Sequence, residues 1–419
     1  MRFYKDRKGI TLIALVITII VLLILAGVTI AALSGDNGIL TRAKEAKEKT
    51  ELAQKKEEKT LSNMENILGI YNFKNVNIED TNPAVVVPEN SRVVEADANK
   101  GIVIKDKNNN EWVWIEVPKT TVFTGLTIDT TNTLTEQNYT DIKNKLIAYT
   151  GVYRKGDATQ SCNWTDEWYN GCGMTSDEYK AAYQKMLKSV YTYGGFWIGR
   201  YEAGIEGTTT ETKNARTSSS AKIIIGTSPK AISQKDAIPY NYVCCNEAQA
   251  LAKEMTANSK YTSSLMFGIQ WDLVCKYLEV KGNLATADIN SNSISWGNYE
   301  NAKIENITSG KYAIYKNGSL GTWTTISGSY TKPNTSPDYD TLLSTGITNY
   351  TKKMNIYDFA GNEFEWTLEH ATSRSDYPCA CRGGDYDPTG SGSPASNRNN
   401  YGTTNAGNYI GFRTTLYIN

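Results

Sequence analysis

The cysteines and the single histidine of this 419-residue sequence are the side chains best suited to metal or redox chemistry. The seven cysteines include no set with zinc-finger spacing, and His370 is the only histidine, so the sequence argues against a zinc site. Cys244, Cys245 and Cys275 lie beside or within predicted helices. A buried free cysteine behaves there as a small apolar side chain, which is the simpler interpretation of these three residues.

Cys162 and Cys172 are a separate case because they bracket a loop-like segment, NWTDEWYNG. A local disulfide between them is favoured if the chain is exported, since thiols oxidise outside the cell. Seven is an odd number, so at least one cysteine is unpaired or bonds to another chain.

A second set of residues with recognition chemistry lies near the C terminus, between Arg382-Gly383-Gly384 and Gly411-Phe412-Arg413. Tyrosine gives rigid amphipathic area and asparagine gives adaptable hydrogen bonds, a combination typical of binding surfaces. The candidate ligand-binding residues are Tyr386, Asn397, Asn399, Asn400, Tyr401 and Asn408. The same interval also has ordinary turn residues, including Asp387-Pro388, and a plain loop remains an equal alternative.

Helices and strands must position these segments. Apolar periodicity predicts helices over residues 177–190, 247–255 and 270–279, with Asn246 as the N-cap of the second. Apolar and β-branched runs predict paired strands over residues 102–104 and 112–115, and a central strand over residues 194–202. Two prolines and several asparagines indicate a linker over residues 71–100.

The order of the C-terminal motifs resembles the formylglycine-generating enzyme, or sulfatase-modifying factor, family. The most specific pieces are the GNEFEWT segment from Gly361 to Thr367, Arg382-Gly383-Gly384 and Gly411-Phe412-Arg413. The resemblance covers residues 101–419, with insertions near 205–235 and 300–350. It implies an irregular α/β domain of the C-type-lectin fold.

The resemblance also implies where catalysis would lie. The family's oxidases bind copper through two cysteines between the RGG and GFR segments, since thiolates are soft ligands for Cu(I). Here residues 385–410 contain no cysteine, and Cys379 and Cys381 precede Arg382. A related branch uses histidine-bound iron, which His370 alone does not supply. We therefore expect a scaffold without the enzyme activity, as in the variable proteins of diversity-generating retroelements, which use this interval for recognition.

Calcium is the one cofactor that the resemblance implies. Carried over, the site would use the carbonyls of Ala360, Gly361 and Glu363 with the Glu365 side chain, and hard oxygen ligands suit Ca²⁺. The alternative is that Glu365 holds a buried turn through hydrogen bonds. Arg398 and Arg413 are expected to be structural, pairing with buried acids or carbonyls.

The N terminus carries a different signal, 24 uncharged residues over 10–33 behind a basic leader over 1–9. A helix of that length would be about 36 Å long, enough to cross a bilayer core of about 30 Å. The leader ending at Gly9, followed by Ile10, resembles the prepilin signal of type IV pilins and type II secretion pseudopilins, which prepilin peptidase cuts after the glycine.

Three points about this segment stay open. The family usually has Glu at the fifth mature position, where this chain has Ala14, so polymerisation with other pilin subunits is an open question. A secretory signal peptide and an uncut membrane anchor are the rival interpretations. Residues 34–70 are predicted as a charged stalk helix, with Glu45 to Lys49 and Glu51 to Lys55 at the favourable i, i+4 spacing.

The charge balance excludes one class of partner. With 44 basic and 44 acidic residues the formal net charge is zero, which gives no electrostatic basis for nucleic-acid binding. The abundance of tyrosine, tryptophan and small polar residues suits an exported domain rich in strands and loops.

The sequence therefore predicts an α+β chain: a long apolar stem helix, then an irregular domain of C-type-lectin type. The expected function is a surface-anchored, pilin-like protein whose non-catalytic head binds an extracellular ligand or mediates adhesion. A minor pseudopilin of a secretion or pilus machine is the alternative, and an exported modifying enzyme is disfavoured. The expected location is the cell membrane, with the head outside and the molecule part of a pilus or the cell surface.

Overall fold

The computed structural model describes residues 16–25, 44, 46–54, 85–155, 162–255, 260–335 and 340–419. The chain divides into two compact units, Met1–Asn66 and Ile67–Asn419. In the first unit, residues 16–25 and 46–54 are helical.

The prediction of a long apolar stem helix over residues 10–33 is wrong, and so is the transmembrane helix that it implied. Within that range the structure describes a helix over residues 16–25. Across the described ranges of the chain, every helix is too short or too polar to cross a membrane.

The helices described in the second unit are α1 Lys119–Val122, α2 Glu136–Thr150, α3 Val152–Lys155, α4 Ser176–Tyr193, α5 Cys245–Glu254, α6 Gly268–Val280 and α7 Thr286–Asn290, with a 3₁₀ turn over Asn349–Thr351. The helices predicted over 177–190, 247–255 and 270–279 are thus confirmed as α4, α5 and α6. Thr175 caps α4, because its side chain accepts the N–H of Glu178 while the Glu178 carboxylate accepts the N–H of Thr175.

The predicted N-cap of α5 is displaced by two residues. The cap is Cys244, and its N–H donates to the Glu247 carboxylate at 3.2 Å. Asn246 lies inside the first turn, where its side chain accepts the N–H of Glu247. The reach of Glu247 back to the cap, rather than the residue type at position 246, fixes where this helix begins.

The strands described are β1 Arg92–Glu95, β2 Val103–Lys105, β3 Glu111–Glu116, β4 Trp164–Thr165, β5 Gly195–Gly199, β6 Gly204–Ile205, β7 Ala231–Ile232, β8 Tyr261–Leu265, β9 Ile304–Ile307, β10 Lys311–Lys316, β11 Ser319–Leu320, β12 Thr324–Thr325, β13 Tyr330–Lys332, β14 Thr341–Leu343, β15 Phe364–Ala371, β16 Cys379–Arg382, β17 Arg398–Tyr401, β18 Ile410–Phe412 and β19 Thr414–Ile418.

The largest sheet has the order β1-β2-β3-β5-β19-β8, and all its neighbouring strands are antiparallel. The predicted pairing of the strands at 102–104 and 112–115 is confirmed by β2 and β3, and β5 is central as predicted. Trp114 and Trp197 face each other edge-on across β3 and β5, with centroids 5.1 Å apart. Strand β1 lies inside the stretch predicted as a linker, so pairing in this sheet begins at Arg92.

A second sheet carries the C-terminal motifs. Its order is β17-β16-β15-β18, and β4 also pairs with β15. Strands β15 and β18 are parallel, whereas β16 is antiparallel to both of its neighbours. Smaller pairings complete the fold: β11-β10-β12 with β14 on β10, β9-β13, and β6-β7.

Candidate functional site

The register of the second sheet places three motifs side by side. Glu365 on β15 lies opposite Arg382 on β16 and beside Gly411 on β18. Arg382 in turn lies opposite Arg398 on β17. Segments separated by long stretches of chain therefore meet at one place, where their charged side chains are buried together.

One group of these side chains forms a fully paired ionic cluster, which we call the arginine network. Its members are Arg154, Asp166, Asp272, Glu369, Arg382 and Arg398. Arg398 donates to both oxygens of Asp272 at 2.8 and 2.9 Å and to both oxygens of Glu369 at 3.1 and 3.0 Å. These bonds confirm the prediction that Arg398 pairs with buried acids. Arg382 donates to the same two acids, Asp272 at 2.9 Å and Glu369 at 3.2 Å.

Arg154 closes the network from α3. Its guanidinium lies 2.9 Å from Glu369, 3.1 Å from Asp272 and 3.4 Å from Asp166. Asp166 also accepts the N–H groups of Gly268 and Ile269, which ties the network to the N terminus of α6. Three arginines thus face three acids, and each acid is bound by at least one arginine.

The electrostatic consequence is clearest at Glu369. Burial alone would raise its pKa, but Arg398, Arg382 and Arg154 outweigh burial and lower the pKa to about 2. At Asp166, which has a single arginine partner, burial is the larger effect and its pKa is raised. The network is a structural device that holds charge inside the domain by supplying a partner for each charge.

A second ion pair decides what the predicted calcium ligands do. Arg413 contacts both oxygens of Glu365, at 2.6 Å in its shortest contact, and also donates to the carbonyls of Gly199 and Tyr357 at 2.9 Å. Burial raises the pKa of Glu365 to about 7, against the lowering effect of Arg413. Arg413 is therefore structural, as predicted, and Glu365 is its counter-ion.

Two of the three carbonyls assigned to calcium have protein partners. The Ala360 oxygen accepts the N–H of Asn298 at 3.1 Å, and the Gly361 oxygen accepts the N–H of Glu363 at 3.0 Å. Within the described ranges, no group of three or more His, Cys, Asp or Glu side chains is placed to hold a metal ion. The contacts agree with the alternative in which Glu365 holds a buried turn, and calcium binding stays a prediction.

A third group of acids differs sharply from the other two. Glu363 follows the Gly361-Asn362 turn and is 1% exposed, and Asp385 follows Arg382-Gly383-Gly384 and is 4% exposed. Both oxygens of Glu363 and Oδ1 of Asp385 are buried without a hydrogen-bond partner among the described residues. The Asn241 side chain donates one N–H to the carbonyl of Asn408 at 3.1 Å, and it also lies near enough to Glu363 to lower the pKa of that acid.

Burial raises the pKa of Glu363 well above its usual value; the Asn241 side chain opposes the rise, and the charges of Glu365 and Asp385 add to it. Burial likewise raises the pKa of Asp385, with the exposed Asp387 adding to the rise. Neither Glu363 nor Asp385 has an arginine partner among the described residues, whereas Glu365 and Glu369 each do.

Tyrosines surround these two acids. Tyr386 is buried, and Tyr242, Tyr315, Tyr401 and Tyr409 are half-buried. Burial raises the pKa of Tyr242, Tyr401 and Tyr409. The charge of Glu363 adds to the rise at Tyr242, and the charge of Asp385 adds to it at Tyr401 and Tyr409. We call Glu363, Asp385 and these five tyrosines the acid–tyrosine cluster.

The rings contact one another around the acids. Tyr315 and Tyr386 meet edge-on with centroids 6.0 Å apart, and Tyr401 and Tyr409 lie 5.8 Å apart. Tyr401 also packs edge-on against Trp366 at 6.1 Å. Residues from β10, β17 and the loop before β18 therefore form one aromatic patch.

The predicted ligand-binding residues are divided by the fold. Tyr386 and Tyr401 belong to the acid–tyrosine cluster. Asn397 is buried, and its carbonyl accepts Nε of Arg382 at 3.0 Å. Asn408 is also buried, with its carbonyl bound by Asn241. The carbonyls of these two asparagines thus support the neighbouring side chains, and a ligand-binding role for Asn397 and Asn408 stays a prediction.

Asn399 and Asn400 are half-buried on β17. The Asn400 side chain donates to the carbonyl of Tyr377 at 2.9 Å, and the Asn399 side chain lies 3.4 Å from the Tyr401 hydroxyl. Both therefore border the aromatic patch. Sequence reasoning missed Tyr242, Tyr315 and the two acids as side chains of this site.

The cysteines show no reactive arrangement in the described part of the chain. Cys162 and Cys172 are both free, so the predicted disulfide is not formed, and the Cys172 thiol instead faces the carbonyl of Met174 at 3.7 Å. Cys379 and Cys381 lie buried on β16. Burial raises the pKa of the Cys381 thiol well above its usual value, which opposes thiolate formation. Gly9 and Ile10 lie outside the described residues.

Two surface clefts lie away from the cluster. One of about 250 Å³ is lined by residues of the 88–91 segment together with Trp112 and Tyr261, and one of about 240 Å³ is lined by residues near 206–209 and 230–234. Neither cleft contains a member of the acid–tyrosine cluster or of the arginine network. Unpaired buried acids are the stronger indication of a site, because cleft volume alone specifies no chemistry.

Comparison with known proteins places the chain in no established family. No family model matches it, and neither does any curated protein. Among solved structures, the crystal structure of CarF is similar at 15% identity and a TM-score of 0.30, over 62% of this chain and 97% of that one. Treponema denticola variable protein 1 is similar at 11% identity and a TM-score of 0.28, over 54% and 85% of the two chains. TM-scores this low decide neither fold nor function.

Proposed function

We propose that this chain is a non-catalytic binding protein and that the acid–tyrosine cluster is its ligand-binding face. The observation that carries the proposal is the Glu363 carboxyl group, which is buried with neither oxygen hydrogen-bonded. A buried acceptor without a partner costs about 1–3 kcal/mol. Among the described residues, Glu363 is the one side chain with two buried atoms that lack a hydrogen-bond partner, which favours a use other than stability.

The surrounding side chains suit binding. Tyrosines combine apolar area with a hydroxyl and have few rotamers to lose, so they are effective in recognition surfaces. Four of the five rings are half-buried and therefore present part of their surface to solvent. The rings would provide contact area for a ligand, and the acids would provide its specific polar contacts.

We also propose that the domain from residue 101 onward is related to the formylglycine-generating enzymes in scaffold and has lost their chemistry. The order of the motifs supports the relationship, and the absence of cysteine from residues 385–410 supports the loss. The burial and raised pKa of the Cys381 thiol support it further. An exported modifying enzyme is the disfavoured alternative, and the extracellular location stays a prediction.

A binding screen tests the proposed function. The full chain and the double variant Tyr401→Ala/Tyr409→Ala would be applied to a panel of immobilised saccharides and peptides. Ligands of the binding face should be retained by the full chain and lost by the double variant. Tyr149→Ala, a half-buried tyrosine on α2, is the matched control and should bind like the wild type.

Two results would contradict the proposal. Ligands held equally well by the double variant would place binding elsewhere on the protein. Oxygen consumption by the chain in the presence of a thiol peptide, abolished by Cys381→Ser, would revive the enzyme alternative.

A further inference from the structure

The acids of the cluster are exceptional among the buried acids of the described chain, which are Asp166, Glu202, Asp272, Asp358, Glu363, Glu365, Glu369 and Asp385. Asp166, Asp272, Glu365 and Glu369 are paired with arginine. Glu202 accepts two hydrogen bonds, from the Asn362 side chain and from the N–H of Glu363. Asp358 accepts the N–H of Gly346 and the hydroxyl of Thr351.

Glu363 and Asp385 are the two of these acids that have a carboxylate oxygen without a hydrogen-bond partner among the described residues. Neither takes part in a salt bridge between residues that the structure describes. The three unpartnered oxygens are Oε1 and Oε2 of Glu363 and Oδ1 of Asp385. An ionised carboxylate only accepts hydrogen bonds, so the missing partner must be a donor. A positive charge on that donor would offset the free-energy cost of burying the negative charge of the acids.

A primary ammonium group meets this requirement. It carries one positive charge and three N–H donors and has no acceptor that would face the acids unfavourably. The tyrosines add a second attraction, because the face of an aromatic ring attracts a cation within about 6 Å of its centroid. A quaternary ammonium would keep the ring attraction but offers no donor to the three oxygens.

We propose that the acid–tyrosine cluster binds a primary ammonium group, carried by a small alkylamine or by a lysine side chain of a partner. This inference names the ligand class for the proposed binding face and rests on that proposal. The cluster excludes water from Glu363, which strengthens a charge-assisted hydrogen bond formed there. Since Glu363 is 1% exposed, entry of the ligand requires a half-buried ring, such as Tyr242 or Tyr409, to turn aside.

Calorimetric titration of the full chain tests this inference. The probes are n-butylammonium chloride, Nα-acetyl-lysine methylamide and tetramethylammonium chloride, all at constant ionic strength. We expect both primary ammonium probes to bind, and tetramethylammonium to bind at least tenfold more weakly. Equal affinity for tetramethylammonium, or no binding of either primary ammonium probe, would overturn the inference.

The two primary ammonium probes distinguish the sources of the group. Binding of the lysine derivative at least tenfold more tightly than butylammonium would identify a protein side chain as the natural ligand. Tighter or equal binding of butylammonium would identify a small amine. Either result supports the shared chemistry.

A pair of isosteric variants then locates the site. Glu363→Gln removes the charge but preserves the size of the side chain, and it should weaken binding of the primary ammonium probe at least tenfold. Asp177→Asn removes an exposed acid from the first turn of α4, outside the cluster, and should change affinity less than threefold. Thermal melting of each variant verifies the fold, and unchanged affinity in a folded Glu363→Gln variant would overturn the inference.

Failure of the inference is separable from failure of the proposed function. A neutral saccharide or peptide that is lost by Tyr401→Ala/Tyr409→Ala but retained by Glu363→Gln would contradict the ammonium ligand and leave the binding face in place. Loss of no ligand in the double tyrosine variant would contradict both.

Discussion

Glu369 and Glu363 belong to the same short stretch of chain and are both buried, but their surroundings are opposite. Glu369 receives three arginines, which lower its pKa to about 2. Glu363 receives none, and burial with nearby negative charge raises its pKa. A buried glutamate thus stabilises the folded state at position 369 and destabilises it at position 363.

This comparison separates structural charge from functional charge. In the arginine network the desolvation of each ion is offset by bidentate hydrogen bonds, so its removal harms the fold. In the acid–tyrosine cluster no described arginine or lysine pairs with the acids, and three of their oxygens lack a hydrogen-bond partner among the described residues. A ligand that supplies this partner would account for the cost of burying them. Perturbed acids without internal partners are the pattern expected of a binding or catalytic site.

The largest expected effect is at the network. Glu369→Gln removes one negative charge and leaves three buried arginines facing two acids. We expect a loss of about 3–5 kcal/mol in the free energy of unfolding, the usual cost of breaking a buried ion pair from one side. Urea denaturation at pH 7 measures it, and a loss below about 1 kcal/mol would show that the network contributes little.

The same substitution at the cluster should have the opposite sign. Glu363→Gln replaces an unpaired acid with a neutral side chain of equal size, so the free energy of unfolding should stay unchanged or rise by about 1–3 kcal/mol. Both glutamine variants would be measured in the same denaturation series, each serving as the control for the other. Destabilisation of Glu363→Gln comparable to that of Glu369→Gln would mean that Glu363 has a structural partner.

The two acids should also respond to pH in opposite directions. The folded pKa of Glu369 is lowered from 4.5 to about 2, so its contribution to stability is present above pH 4.5 and is lost as the pH falls through about 2. The pKa of Glu363 in the folded state is raised above 4.5. Below pH 4.5 Glu363 is protonated in both the folded and the unfolded state and does not change the free energy of unfolding. As the pH rises through the raised pKa, the free energy of unfolding falls.

Denaturation from pH 4 to pH 8 checks this contrast. The stability advantage of Glu363→Gln over the wild type should be near zero at pH 4 and should grow toward pH 8. The deficit of Glu369→Gln should stay nearly constant over the same range. An advantage for Glu363→Gln that does not change with pH would contradict the raised pKa.

The smallest effect concerns the aromatic patch. The rings of Tyr401 and Tyr409 lie 5.8 Å apart, and Tyr409→Phe keeps this contact. Loss of the hydroxyl should therefore reduce the free energy of unfolding by at most about 0.5–1.5 kcal/mol, the usual net value of one hydrogen bond. Tyr193→Phe, at a half-buried tyrosine of α4, is the matched control. A loss above about 3 kcal/mol would show that Tyr409 supports the fold more than the face.

Some of this arrangement could be predicted from sequence. Local patterns identified α4, α5, α6 and the β2–β3 pair, because capping and periodicity act over a few residues. The interval after Arg382 was predicted to be a recognition face from its tyrosines and asparagines, and that function stays a prediction. Arg398 and Arg413 were expected to pair with buried acids, and both do.

The acids and two of the tyrosines could not be predicted, because their role depends on contacts between distant segments. Nothing in the sequence near Tyr242 or Tyr315 indicates that they meet Tyr386 and Tyr409. Glu363 and Glu365 are separated by one residue of the same motif, and only the fold shows that Arg413 reaches one and not the other. The prediction from the apolar stretch at the N terminus failed for a different reason. It rested on hydropathy alone and gave a long membrane-spanning helix that the described part of the chain does not contain.

A crystal structure of the full chain grown with methylammonium chloride tests the central claim most directly. The account predicts the ammonium nitrogen within about 2.7–3.2 Å of the Glu363 and Asp385 carboxylates, beneath the tyrosine rings. A structure in which these oxygens accept hydrogen bonds from the protein itself, with methylammonium absent from the cluster, would contradict it.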